Sequence, residues 1–185
     1  HTRYWRDWSS DVCSSDLFLD YTLLFINNTL YIDYMSKSEW GNITWILFHS
    51  LIEQLKEDAP NKIIKETFLN IQQICNNLPC PNCRDHAMSY LNKYKKYNFD
   101  TKDKLKIFFY TFHNTVNVKL KKKVAEINIL DKYKNVNLNN ILNSFKYIYL
   151  KRQQTKMLLY SFHRKMAVEK FLNFIKNNKI YFNLL

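Results

Sequence analysis

Two cysteines three positions apart, in Cys80-Pro81-Asn82-Cys83, carry the sharpest chemical signal in the sequence. Such a pair can close into a disulfide. At the start of a helix the exposed N–H groups and the helix dipole also stabilise a thiolate. A redox dithiol is therefore one reading. Zinc is a second, because Cys75, Cys80, Cys83 and His86 supply three sulfurs and an imidazole. Zinc sites of this type draw on two separated ligand pairs, however, and Cys75 has no partner beside it. Incidental spacing is the third reading. A thioredoxin arrangement would need a βαβ frame, which this sequence does not offer.

Two further clusters have residue types suited to a site. In Trp40-Gly41-Asn42-Ile43-Thr44-Trp45-Ile46-Leu47-Phe48-His49 the sole glycine of the chain falls inside a helical pattern. Glycine there costs about 1 kcal/mol relative to alanine, so something needs close approach to the backbone. Trp45 and His49 are one turn apart and share a face. In His113-Asn114-Thr115-Val116-Asn117, His113 and Asn117 are likewise one turn apart, on a polar stripe beside an apolar one. Asparagine is unfavourable within helices. Taken singly, core packing accounts for the first cluster and an Asn-rich composition for the second.

The elements that must position these residues are helical. The chain of 185 residues has 1 Gly and 3 Pro, which leaves no glycine for β turns or for a Gly-rich phosphate loop. Ser36 or Ser38 caps a helix in which Trp40, Ile43, Leu47, Leu51, Ile52 and Leu55 recur at three- and four-residue spacing. Asp58-Ala59-Pro60-Asn61 breaks it. A second helix over 62–76 turns Ile64, Phe68, Ile71 and Cys75 inward, and Leu78-Pro79 stops it. Pro81 suits the first position of a third helix reaching residue 94. Asp100 or Thr101 caps a fourth over 102–122, buried through Leu105, Phe108, Phe109, Phe112, Val116 and Leu120. Short connections make these an all-α, up-and-down four-helix bundle.

The order WGxxxWxxxH, LPCxxCRxH, HNxVNxxL across four helices resembles the Erv/ALR family of FAD-linked sulfhydryl oxidases. It resembles especially the forms carried by large cytoplasmic DNA viruses, over roughly residues 38–123. The resemblance implies a helical bundle holding FAD at one end, and a homodimer. It implies that Cys80 and Cys83 form the redox disulfide, with Cys83 nearer the flavin. Gly41, Trp45 and His49 would pack about the cofactor. His113, Asn114 and Asn117 would surround its adenosine part, with Lys119 or Lys122 as the basic neighbour. Electrons would pass from protein dithiols, possessed by a thioredoxin-like carrier or another partner, to O₂, giving hydrogen peroxide. Relatives often carry Gly-Lys-Pro after the last motif, where this chain has Lys121-Lys122-Lys123.

The domain reading has four parts. Residues 1–17 are Ser/Asp-rich, resemble a translated sequencing adapter and are set aside with Cys13. Residues 18–35 form an N-terminal extension and 36–135 the oxidase domain. Residues 136–185 form a basic helical C-terminal extension, with nine Lys/Arg against the single acid Glu169 from Lys146 onward. Leu158, Leu159, Phe162, Met166 and Phe171 are expected to pack on the bundle or on a second subunit. Truncation after Phe145 is expected to leave flavin binding intact. The net charge of +12 fits nucleic acid in principle, but an AT-rich coding style rich in Lys and Asn explains it as well, so nucleic acid is not expected as a partner. No membrane span is expected. The place of action is host cytoplasm or virion for a viral protein, otherwise cytoplasm or the mitochondrial intermembrane space. The alternative function is a zinc-stabilised interaction module on Cys75, Cys80, Cys83 and His86.

Overall fold

The computed structural model describes residues 37–94, 99–150 and 158–184. Residues 1–17, the extension 18–35, Cys13 and the cap candidate Ser36 lie outside them. Among the described residues six α-helices follow in order: α1 (Lys37–Glu53), α2 (Asn61–Cys75), α3 (Pro81–Lys93), α4 (Lys102–Lys119), α5 (Leu138–Leu150) and α6 (Leu158–Asn177). A 3-10 helix, Ile127–Tyr133, precedes α5 and a shorter one, Lys179–Tyr181, follows α6. Among the described residues there is no β-strand, only one isolated bridge between Leu55 and Phe182. The all-α reading holds. No helix among these residues is long and apolar enough to cross a membrane.

Local chemistry sets the helix ends. The Thr101 hydroxyl accepts the Lys104 N–H at 3.3 Å and caps α4, so of the two cap candidates Thr101 is the one used. Cys80 caps α3, with Pro81 in the first turn, where its missing N–H costs nothing. After α4 the chain turns at Lys121, whose φ of 56° lies in the left-handed region. The Lys122 N–H reaches back to the Asn117 carbonyl and the Lys121 N–H to the Val118 carbonyl, at 2.8 and 3.0 Å. This is a Schellman turn, and glycine is its usual residue. The lysine stands there with the cost of a left-handed β-carbon, about 1–2 kcal/mol.

The apolar stripes read from spacing meet in one core. Leu47, Leu51 and Ile52 of α1 pack with Ile71 of α2 and Phe109 and Phe112 of α4, all essentially without solvent contact. Val116 and Leu120 depart from the expected stripe and are only half-buried, because they border a cavity.

Helices α5 and α6 share that core, with α5 against α1 and α6 against α2. Phe145 and Tyr149 on α5, and Val168, Phe171 and Ile175 on α6, are buried in the same cluster as the bundle helices. The tail is also tied to the turn after α1. The Lys56 N–H donates to the Tyr181 carbonyl at 2.9 Å and the Asn183 N–H to the Gln54 carbonyl at 2.8 Å. Of the described residues expected to pack on the bundle or on a second subunit, one meets the bundle. Phe171 is buried, but Leu159, Phe162 and Met166 are exposed, and the side chain of Leu158 lies outside the described residues. The buried stripe is Arg164, Val168, Phe171 and Ile175, a three- to four-residue spacing that leaves Leu159, Phe162 and Met166 on other faces.

Candidate redox and cofactor site

Cys80 and Cys83 are joined in a disulfide, with Cα atoms 5.2 Å apart. Cys80 has extended backbone, φ −100° and ψ 115°, and its sulfur accepts the Cys83 N–H at 3.2 Å. Both cysteines are half-buried, so the bond borders solvent on one side and protein on the other. The N-terminal N–H groups of α3 converge there and favour negative charge on whichever sulfur is released.

Behind the disulfide lies a cavity of about 250 Å³. Its wall comes from Gly41, Thr44, Trp45 and Phe48 of α1, Cys80, Cys83 and His86 around α3, and Phe112, Val116 and Lys119 of α4. Gly41 is buried in this wall, and a β-carbon there would narrow the cavity. That accounts for a glycine within a helix.

From Trp45 a column of rings runs away from the disulfide. Trp45 stacks on His113 with centroids 3.9 Å apart and planes 5° apart. His113 lies beside His49, and His49 stacks on Tyr133 at 5.2 Å. The two imidazoles are hydrogen-bonded, His49 Nε2 to His113 Nδ1, at 3.0 Å. One must donate and the other accept, so the accepting ring is neutral, and burial disfavours a proton on either. The amide of Asn114 brackets Ala125: its Nδ2 donates to the Ala125 carbonyl and its Oδ1 accepts the Ala125 N–H, both at 3.0 Å. Asn117 donates to the same Oδ1 at 3.3 Å. These two asparagines thus fix the chain that leads from α4 into the 3-10 helix, a local reason for polar residues on a buried face.

Lys119 borders the cavity, whereas the Lys122 amine is buried toward His113. The structure adds residues that spacing did not reveal. Lys132 buries its amine beside His49 and His113, and Tyr133 ends the ring column. Both lie on the 3-10 helix, whose seven residues are too short for a periodic stripe. The Gln54 amide holds that helix by donating to the Tyr133 and Lys134 carbonyls at 2.9 and 2.8 Å.

Burial dominates the electrostatics. It pushes the His49 imidazole down to about 3, with the Lys132 charge adding to the effect. His113 is also held well below its ordinary value, by burial first and then by His49, Lys132 and Lys122. His86 is lowered by burial, Lys119 and Lys93. Burial raises the Cys75 thiol far above its usual range, which keeps it unreactive. Cys75, Cys80, Cys83 and His86 all border the one cavity, yet among the described residues no three His, Cys, Asp or Glu side chains are grouped to hold a metal ion.

The histidine pair makes stability depend on pH. In the unfolded chain each imidazole takes a proton near pH 6.5, while folded His49 resists until about 3. Between those values the unfolded state holds more protons, so stability is complete above about 6.5 and declines as pH falls toward 3. His49 is expected to remove about 2 kcal/mol between pH 7 and 5, and His113 acts in the same direction. The urea midpoint should fall over that interval, and less steeply in His49→Gln. An unchanged midpoint would contradict the buried neutral pair.

Helical packing, a helix-capping Cys-x-x-Cys disulfide and a cavity walled by tryptophan define a redox protein shaped for a flat ligand. The Erv1 / Alr family model matches residues 42–137, and the chain belongs to that family. Relatives named "FAD-linked sulfhydryl oxidase" from two isolates of African swine fever virus are 36% and 35% identical over 111 residues. Each alignment covers 58% of this chain and 87% of the relative. The 096R protein of Invertebrate iridescent virus 3 is 32% identical over 98 residues, which cover 51% of this chain and 66% of that relative. No solved structure matches the chain.

Proposed function

We propose that this protein is an FAD-linked sulfhydryl oxidase that forms disulfides in protein substrates. The observation that carries this reading is the Cys80–Cys83 disulfide bordering the same cavity as Gly41 and Trp45. The cavity suits a flavin: its wall is apolar and aromatic, glycine leaves room, and the disulfide forms one side. Trp45, His49, His113, Lys119, Lys122 and Lys132 would hold the cofactor. The lysines are the cations available to a pyrophosphate in a chain with no Gly-rich loop.

Bound FAD would supply a two-electron acceptor for the reduced cysteine pair and a donor to O₂, yielding hydrogen peroxide. The chain's own part is thiol–disulfide exchange. A substrate thiolate attacks the Cys80 sulfur, the Cys80–Cys83 bond breaks, and Cys83 leaves as a thiolate at the N-terminus of α3. The second substrate thiolate then attacks the substrate sulfur of the mixed disulfide and expels Cys80. The substrate is left oxidised, the pair reduced, and the two thiol protons go to solvent. Protein dithiols, a thioredoxin-like carrier among them, fit this chemistry. We further propose a homodimer that acts in the infected cell's cytoplasm or the virion; the viral source of its relatives supports the viral setting.

The deciding experiment is the visible spectrum of the purified full chain, with peroxide release on addition of dithiothreitol. About one FAD per chain and thiol-dependent peroxide are expected. A colourless protein that takes up no added FAD, or one with stoichiometric zinc on its cysteines, would overturn the assignment.

A further inference from the structure

One polar contact joins the C-terminal helices, which lie outside the family match, to the wall of the cavity. Thr44 is part of that wall, one turn from Gly41 and beside Trp45. Its hydroxyl donates to the Trp40 carbonyl at 2.6 Å, which commits its single proton. The same oxygen is hydrogen-bonded to the phenol of Tyr149 on α5, so Tyr149 must be the donor. Both residues are buried, and the Tyr149 ring packs against Phe145 with centroids 4.3 Å apart. For that packing alone a phenylalanine would serve. A buried phenol needs its hydrogen bond to offset the loss of water, so the contact is directional where the surrounding core is not.

We propose that Tyr149 is a positioning residue for the flavin site. Acting through Thr44, its hydroxyl fixes the wall formed by Gly41, Thr44 and Trp45, and thereby the fit of the cofactor. With its proton on the Trp40 carbonyl and one lone pair taken by Tyr149, the Thr44 hydroxyl offers no donor to the cavity. The wall beside Trp45 stays effectively apolar and in one rotamer. Thus α5 completes the site from behind, and its role is more than support. The inference rests on the reading above that this cavity takes FAD.

The test is the rate at which FAD leaves the holoprotein on dilution, together with the visible band of the bound flavin. Tyr149→Phe is expected to release FAD about tenfold faster, the scale of one lost hydrogen bond, and to shift the band. Adding Thr44→Val should cause little further change, because the two substitutions remove one shared contact. Phe145→Leu, a neighbouring core change that leaves the hydroxyl pair intact, should lower the unfolding midpoint without altering release or band. Should Tyr149→Phe not fold, the double variant, which leaves no orphaned hydroxyl, carries the same measurement. Release and spectrum unchanged in the Tyr149 variants, or altered as much by Phe145→Leu, would overturn the proposal. A wild-type protein that holds no FAD would instead defeat the assignment of function.

Discussion

Cys80→Ser and Cys83→Ser are each expected to lose thiol oxidase turnover by a factor of about 10³ or more, while the helical fold and bound FAD persist. Loss is near complete because neither sulfur has a substitute. Among the described residues the remaining cysteine is Cys75, buried and with its thiol pushed far up by that burial. Folding survives because both positions are half-buried, and because serine is a better helix N-cap than cysteine, so Cys80→Ser preserves the start of α3. The pair of variants also assigns roles. With Cys83 next to the flavin, Cys80→Ser leaves a free Cys83 thiolate and gives a long-wavelength absorbance without added reductant, whereas Cys83→Ser does not. The opposite pattern would reverse the order of attack, and substantial turnover in either variant would contradict the exchange mechanism.

Truncation after Phe145 is expected to abolish folding, in contrast to the separable appendage that charge and sequence position led us to expect. The deletion removes Tyr149, Val168, Phe171, Ile175 and Phe182, all buried in the single core. Full burial of one such side chain is worth about 1.5–3 kcal/mol. Five of them are comparable to the whole stability of a domain, about 5–15 kcal/mol. The cut also bares the faces of α1 and α2 that α5 and α6 cover, and removes Tyr160, over whose ring Arg84 sits at 5.9 Å next to Cys83. Circular dichroism and gel filtration should show an aggregated or unfolded protein without FAD. A monodisperse, yellow truncated protein would show that the C-terminal helices are dispensable.

These two expectations differ in how far the sequence carries them. What depends on neighbours along the chain was legible there. Pro81, the cap at Thr101, the break around Pro60 and the apolar stripes of α1, α2 and α4 are local, and so is a cysteine pair at a helix start. Gly41 was legible as an anomaly, a helix-weakening residue that needed a cause. The family likeness added the cofactor, because no spacing by itself distinguishes a dithiol for flavin from one for zinc.

Other features needed the tertiary structure, since they arise from which faces meet across the chain. The buried stripe of α6 includes Arg164, one of the nine basic residues from Lys146 onward, so a charged surface helix and a core helix look alike in sequence. The partner of the Asn114 amide, Ala125, reaches it only because the chain turns back after α4. Lys132 and Tyr133 come to the histidines on a 3-10 helix too short to have a period. Tyr149 lies 105 residues from Thr44, and its phenol acquires meaning only when α5 packs on α1. Period and capping are encoded by residues within a few positions of one another, whereas the partner of a buried hydroxyl is chosen by the packing of whole helices.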